Sequence, residues 1–224
     1  MSKNKRLQKA LAYQFSDEKL LQLALSHRSA SKQNNERLEF LGDALLDLII
    51  SEVLFTKFPA AKEGELTRSR AALVRGETLA EIAREINLGE YILLGSGELK
   101  SGGFRRESIL SDALEALFGA IYLDGGLESC RATVLALYTD RLATNDVLEN
   151  TKDSKTRLQE WLQAKKKPLP SYVVLNESGT AHDKEFTVKC ELGNPNASAT
   201  ATGASKRIAE MAAAEQILQA LQSQ

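Results

Sequence analysis

The 224-residue sequence has little of several features that mark particular protein classes. Its two cysteines, Cys130 and Cys190, stand far apart, which excludes a disulfide scaffold and a thiolate metal site. No uninterrupted apolar stretch approaches about 18 residues, so no membrane span is expected. No apolar run follows the basic N-terminal residues, so we expect no signal peptide and a cytoplasmic protein. Aromatic residues make up only 6%, which predicts an aliphatic core.

The charges are unevenly distributed along the chain. The net charge is −1, so the overall balance does not indicate a nucleic-acid-binding protein. After Thr151, however, there are 10 Lys and Arg against 8 Asp and Glu, whereas the preceding part has 19 against 22. A mildly basic part behind an acidic part fits one module that binds an anion and one that holds a metal ion.

Residues 35–46 are predicted to begin a helix that carries an acidic face. Asn34 or Asn35 can cap it. Glu36, Glu39 and Asp43 share one face of this helix, where like charges repel unless protons or cations neutralise them. The alternative is an acidic face that is simply solvated. An apolar stripe of Leu38, Leu41, Leu45 and Leu48 recurs at helical spacing along the same segment.

A second predicted helix, residues 108–123, is apolar nearly all round and is therefore expected to be buried. It carries Asp112 and Glu115 on one face, and two unpaired carboxylates inside such a helix would cost several kcal/mol. The residues 124–126 (DGG) are expected to end it. A surface-exposed pair is the alternative, but we expect this helix to supply ligands to the same cation as the first. Oxygen ligands without thiols indicate Mg²⁺ or Mn²⁺.

The C-terminal part follows a different pattern, behind a polar linker at residues 144–152. A helix beginning at Asp153 or Ser154 is followed by three predicted strands and a final helix that opens at Ser205. The N-terminus of that final helix favours a phosphate, although an ordinary capped helix would look the same. The strands are expected at residues 172–176, 185–191 and 197–202.

Two sets of motifs resemble known families. The string NERLEFLGD at residues 35–43 resembles the ribonuclease III motif, as do HRS at 27–29, GGFRRES at 102–108 and the Asp112/Glu115 pair. The string GASKRIA at residues 203–209 resembles the double-stranded RNA-binding domain. The resemblance implies an α+β chain: an all-α endonuclease domain, residues 1–150, followed by a small α-β-β-β-α double-stranded RNA-binding domain, residues 151–224.

The ribonuclease III resemblance implies cleavage of double-stranded RNA to 5′-phosphate and 3′-hydroxyl ends with short 3′ overhangs. It implies Mg²⁺, for which Mn²⁺ can substitute, with two ions per active site. It also implies a homodimer, with Phe40 inserted into the partner subunit. The implied metal ligands are Glu39, Asp43, Asp112 and Glu115, with Asp43 and Glu115 as the catalytic residues and Glu36 and Glu63 as supporting acids.

In the C-terminal module, resemblance implies that Thr156, Gln159 and His182 reach 2′-hydroxyls or base edges, and that Ser205, Lys206 and Arg207 meet phosphates. Glu210 stands where the family often has a basic residue, which predicts weaker and more salt-sensitive binding. The roles of Arg105 and Arg106 stay open between phosphate contact and support of the acidic site.

Two other functions fit parts of the pattern. One is a non-catalytic regulator that sequesters double-stranded RNA, which the complete set of acidic residues disfavours. The other is a metal-dependent phosphohydrolase of small molecules, which the C-terminal RNA-binding pattern disfavours. For the endonuclease, resemblance implies ribosomal RNA precursors and structured messenger RNAs as targets.

Overall fold

The computed structural model describes residues 3–143, 154–180, 183–193 and 198–222. The chain divides into two compact units, Met1–Thr151 and Lys152–Gln224. The polar linker predicted at residues 144–152 lies outside the described residues.

The described part of the first unit is helical, as predicted. Two 3-10 turns, Leu88–Glu90 and Gly103–Arg105, interrupt the α-helices. No helix among the described residues has the length and apolar character needed to cross a membrane. The α-helices are α1 (Lys3–Ala10), α2 (Glu18–Ala24), α3 (Glu36–Lys57), α4 (Glu63–Val74), α5 (Gly76–Glu85), α6 (Ser96–Lys100), α7 (Glu107–Leu137) and α8 (Thr139–Ala143).

The centre of the first unit is the crossing of α3 and α7, which pack together more extensively than any other pair of helices. The crossing is close because both helices have a buried glycine there. A Cβ atom at Gly42 would overlap the carbonyl oxygen of Glu115, and one at Gly119 would overlap the carbonyl oxygen of Leu38. The two backbones therefore touch, and the acidic turns beside each glycine are brought face to face.

Helix α7 continues beyond the point where the sequence predicted its end. Gly126 has a left-handed φ of 78°, so the helix is kinked there rather than terminated. Just before the kink, the Asp124 carboxylate accepts hydrogen bonds from the Tyr13 hydroxyl at 2.6 Å and from the Ser16 and Asp17 N–H groups at 2.8 Å each. These bonds attach α7 to the segment between α1 and α2.

The apolar stripe predicted on α3 is only partly buried. Leu38 and Leu45 lie in the core, but Leu48 is 52% exposed. Leu48 follows Leu38 by ten positions, which at 3.6 residues per turn rotates it by about 80° from the buried face. It lies instead on an exposed apolar face with Phe40 (80% exposed) and Phe55 (72% exposed).

The described part of the second unit has the predicted order of one helix, three strands and one helix. Helix α9 (Ser154–Ala164) and helix α10 (Lys206–Gln222) pack together, and α10 also packs on the antiparallel sheet β1-β2-β3. Small residues on α10, Ala209 and Ala213, allow this close packing. The strands are β1 (Ser171–Thr180), β2 (Asp183–Glu191) and β3 (Ser198–Gly203).

Strand β1 is longer than predicted because pairing, rather than its own sequence, extends it. Glu177 to Thr180 lack apolar alternation, yet they pair with Phe186 to Asp183 of β2. A bulge between Val174 and Asn176 interrupts the register. A polar segment thus becomes a strand because the neighbouring strand supplies its hydrogen bonds.

We predict that Gly42→Ala destabilises the first unit by about 3 kcal/mol, because the added methyl group meets the rigid backbone of α7. This cost exceeds the gain of about 1 kcal/mol in helix propensity. Chemical denaturation measures the change. Gly97→Ala on α6 is the control, since a Cβ atom there meets nothing within 4 Å. Equal stability of the two variants would contradict the close crossing.

Candidate active site and nucleic-acid interface

Three carboxylates converge where α3 and α7 cross. Glu39 comes from α3, and Asp112 and Glu115 come from α7. One carboxylate oxygen of each residue lies within 4.8 Å of the others, a spacing at which one metal ion can be shared. The convergence follows from the crossing, because Glu39 lies one turn before Gly42 and Glu115 lies one turn before Gly119.

The cluster strongly disfavours the ionised form of Glu115. Burial, followed by repulsion from Asp43, Asp112 and Glu39, raises the pKa of the Glu115 carboxyl from 4.5 to about 8. Without a cation, this group therefore keeps its proton at neutral pH. A bound cation would have to displace that proton.

The other two members of the cluster shift in the same direction. Burial raises the pKa of Glu39, with added repulsion from Asp112 and Glu36, and the charge of Arg28 opposes the shift. Burial also raises the pKa of Asp112, against the hydrogen bond from Ser111 and the charges of His27 and Arg28. Three oxygen donors whose negative charge is not fully compensated fit a hard divalent cation such as Mg²⁺ or Mn²⁺.

Asp43, the fourth predicted ligand, is not brought into this group. Its side chain is exposed, and among the described residues the convergent oxygens come from Glu39, Asp112 and Glu115. Asp43 still contributes through its charge, which helps to raise the pKa of Glu115. Asp47 acts in the same way, while its own carboxylate pairs with Arg70 at 3.7 Å.

The two supporting acids predicted from the motif lie in different places. Glu36 lies beside the cluster, where its carboxylate accepts a hydrogen bond from the Asn34 amide at 3.0 Å. The Asn34 side-chain oxygen in turn accepts from the Glu36 N–H at 3.0 Å, whereas Asn35 is the N-cap residue and makes no side-chain capping hydrogen bond. Glu63 does not join the cluster in this chain. It accepts a hydrogen bond from Thr67 and lines a separate groove with Leu48 and Phe55.

A groove of about 600 Å³ opens beside the cluster, and Glu39 and Asp112 form part of its lining. The sequence did not predict this groove, although two family motifs, HRS at residues 27–29 and GGFRRES at residues 102–108, contain several of the residues that line it. The HRS segment is fixed by the His27 N–H, which donates to the Leu93 carbonyl at 3.1 Å, and by the Gly95 N–H, which donates to the Ser29 hydroxyl at 2.9 Å. The groove is further lined by His27, Arg28, Ser29, Glu36, Glu98, Arg106 and Ser108.

The structure separates the two adjacent arginines whose roles were open. Arg106 lines the groove beside the acidic cluster and pairs with Glu98 at 2.7 Å. Arg105 lies over the Phe104 ring, 5.0 Å from its centroid, and lines a different groove with Arg84. Of these two arginines, Arg106 is therefore the one that can meet a ligand at the acidic site.

In the second unit, the predicted phosphate-binding residues lie at the start of α10. The Ser205 hydroxyl accepts a hydrogen bond from the Ile208 N–H at 3.2 Å and so caps the helix. Lys206 and Arg207 are exposed in its first turn. On α9, Gln159 is exposed and Thr156 is half-buried, while His182 lies outside the described residues.

Glu210 does not stand as an isolated negative charge on this surface. Its carboxylate pairs with the Lys155 ammonium at 2.6 Å, and that ammonium also lies 4.4 Å from the centre of the Tyr172 ring. The pair links α10 to α9. The basic residue expected by resemblance at position 210 is thus replaced by one member of an internal ion pair.

Comparison with protein families gives two matches, one in each unit. Residues 17–142 match the family described as Ribonuclease-III-like. Residues 154–221 match the double-stranded RNA binding motif.

The curated relatives cover almost the whole chain. Ribonuclease 3 of Nitrosococcus oceani is 57% identical over 215 residues, which is 95% of this chain and 92% of the relative. Ribonuclease 3 of Hahella chejuensis is 55% identical over 220 residues, which is 98% of this chain and 97% of the relative.

Solved structures match the helical unit. The nuclease domain of ribonuclease III from Campylobacter jejuni superposes with a TM-score of 0.62 and 47% identity, covering 65% of this chain and all of that domain. A second structure of that nuclease domain, with a TM-score of 0.61 and 48% identity, covers 62% of this chain and 99% of that one. It is described as having structural flexibility in the region involved in dimer formation.

We predict that Glu115 makes a contribution to the stability of the metal-free protein that is lost as the pH rises from 4.5 to about 8. In this range the unfolded chain releases the Glu115 proton, whereas the folded protein retains it, so rising pH favours unfolding. Glu115→Gln cannot ionise. In EDTA, the difference in melting temperature between this variant and wild type should therefore increase as the pH rises through this range. Above the range, that difference should stay constant.

The matched control is Glu128→Gln, an exposed glutamate on the same helix. Its melting temperature should keep a constant offset from wild type. A constant offset for Glu115→Gln as well would contradict the raised pKa.

Proposed function

The chain belongs to the ribonuclease III family, and we propose that it hydrolyses phosphodiester bonds of double-stranded RNA to 5′-phosphate and 3′-hydroxyl ends with short 3′ overhangs. It is a ribonuclease III-type endoribonuclease, as its motifs predicted. The observation that carries the proposal is the convergence of Glu39, Asp112 and Glu115 beside an open groove.

We propose Mg²⁺ as the cofactor, two ions per active site, with Mn²⁺ as a substitute. Glu39, Asp112 and Glu115 are the core ligands, supported by their oxygen chemistry and by pKa values that burial and mutual repulsion raise. Asp43 and Glu36 complete the acidic environment. Held by these carboxylates, the ions would make hydroxide available near neutral pH and would stabilise charge on the phosphate and the leaving oxygen.

The chain's own residues hold the site ready for this chemistry. Helices α3 and α7 fix the three carboxylates before any ligand arrives, so little ordering is left for the reaction. Glu115 is the residue most sensitive to occupancy, because it must lose its proton to act as a ligand. Asp43 acts beside it through its charge, and we assign Asp43 and Glu115 as the catalytic pair.

The second unit is proposed to hold the RNA duplex. Duplex RNA is recognised by shape, through its 2′-hydroxyls and phosphates. Lys206 and Arg207 are suited to phosphates because they are exposed at the N-terminus of α10, which Ser205 caps. Thr156, Gln159 and His182 are proposed to reach 2′-hydroxyls or base edges.

We propose that the protein acts as a homodimer, with each subunit cleaving one strand. The exposed apolar face of α3, formed by Phe40, Leu48 and Phe55, supports this proposal. Glu63 lines the groove beside that face, so in a dimer it would lie near the subunit boundary. Phe40 follows Glu39 directly, and its insertion into a partner would couple dimerisation to the acidic cluster.

Ribosomal RNA precursors and structured messenger RNAs are proposed as the targets, which implies action in the cytoplasm. The family and the RNA-binding motif support this substrate class.

We predict that Glu115→Gln abolishes cleavage of a long end-labelled RNA duplex in Mg²⁺ but leaves duplex binding intact. The change removes a ligand charge with little change in volume. Wild type should produce fragments with 5′-phosphates and 3′ overhangs in Mg²⁺ and none in EDTA. Glu128→Gln, at an exposed position of the same helix, should cleave like wild type.

Two outcomes would contradict the proposal. Full activity of Glu115→Gln in Mg²⁺ would exclude Glu115 as a metal ligand. Binding of the duplex by wild type without cleavage would favour the non-catalytic regulator.

We predict that Lys206→Ala weakens duplex binding and lowers the slope of log K against log salt by about one, because one phosphate contact is lost. Filter binding at several salt concentrations measures both quantities. The control is Lys189→Ala on β2, where the lysine pairs with Glu191. An unchanged affinity and slope for Lys206→Ala would show that the start of α10 does not meet phosphates.

A further inference from the structure

The groove beside the acidic cluster contains cations that the metal chemistry does not use. Arg28 and Arg106 both line it, together with Glu39 and Asp112 of the cluster. Arg28 belongs to the segment before α3, and Arg106 is the residue directly before α7. The two arginines therefore come from separate parts of the chain and meet at one groove.

Each arginine is already oriented by a carboxylate in the groove. The guanidinium of Arg28 lies 3.6 Å from Glu36, and that of Arg106 lies 2.7 Å from Glu98. A guanidinium has five N–H donors in a fixed fork, and one carboxylate engages at most two of them. Both side chains are exposed and thus keep donors for a further anionic ligand.

The chemistry of the groove selects the kind of anion. Planar guanidinium groups bind phosphates through paired hydrogen bonds. The hydroxyl residues Ser29 and Ser108 add neutral donors to the same lining. The proposed substrate carries a phosphate at every nucleotide. A strand whose cleaved phosphate lies at the acidic cluster therefore extends its neighbouring phosphates past the cluster.

We propose that this groove is a second phosphate subsite. In it, Arg28 and Arg106 bind a phosphodiester that neighbours the cleaved phosphodiester on the same RNA strand. This inference rests on the proposed cleavage of double-stranded RNA. Glu36 and Glu98 are positioning residues in this arrangement, since each holds one guanidinium at the groove. The subsite aligns the strand while the acidic cluster acts on the cleaved bond.

The test compares Arg28→Ala and Arg106→Ala with Arg84→Ala. Arg84 is an exposed arginine of the same domain that lines a different groove, so it controls for the loss of one positive charge. Cleavage of a short duplex in Mg²⁺ gives kcat and KM. Binding is measured at several salt concentrations in proteins that also carry Glu115→Gln. Mn²⁺ affinity is measured without RNA.

For Arg28→Ala and Arg106→Ala we expect KM to rise about 10-fold with kcat nearly unchanged, because a ground-state phosphate contact is lost. The salt slope should fall by about one for each, and Mn²⁺ affinity should stay at the wild-type value. Arg28→Lys and Arg106→Lys should restore the slope, since they restore the charge. Arg84→Ala should keep the wild-type KM.

If both arginine variants kept the KM and the salt slope of wild type, the proposed subsite would be overturned, but the proposed nuclease function would stand. A loss of Mn²⁺ affinity together with kcat, not rescued by lysine, would also overturn it, because the arginines would then only support the acidic cluster. Absence of cleavage by wild type itself would reject the proposed function, and the subsite with it.

Discussion

The contact between the backbones of α3 and α7 is the constraint on which the rest of the first unit depends. Gly42 and Gly119 allow it, because a side chain at either position would overlap the opposite helix. The crossing lies within a large aliphatic core, so its geometry is held by packing and not by the polar groups beside it. Asp124 adds a second attachment by linking α7 to the segment between α1 and α2.

Because packing fixes the crossing, the carboxylates cannot separate to relieve their repulsion. Burial and like charge raise the pKa values of Glu39, Asp112 and Glu115 together. The repulsion among the ionised carboxylates destabilises the folded protein, and this destabilisation is relieved when protons or a cation neutralise the cluster. A site that is destabilised when empty and ionised is thereby prepared for a divalent ion. The charge of Arg28 opposes part of this effect, because it lowers the pKa values of Glu39 and Asp112.

The second unit differs from the first in both its core and its balance of charge. Its core is small and rich in alanine, which lets α10 lie close to the sheet. Lys206 and Arg207 are exposed at the start of α10, where they suit a polyanion, while Glu210 and Lys155 neutralise each other between the helices. The acidic cluster and the double-stranded RNA-binding motif thus lie in separate units of one chain.

The sequence by itself determined the family, the order of helices and strands, and the three acidic residues, Glu39, Asp112 and Glu115, that the fold brings together. These follow from local information: a nine-residue motif, helical spacing and an apolar helix with Asp112 and Glu115. Only the tertiary structure decided that Asp43 stays outside the convergent group, that Glu63 lines another groove and that Leu48 is exposed. It alone brought Arg28 and Arg106 to one groove and extended β1 through pairing. Spacing along a helix determines which residues share a face. What that face contacts is determined by the crossing of two helices or the pairing of two strands. Those contacts join residues that are far apart in the chain, so local sequence patterns do not reveal them.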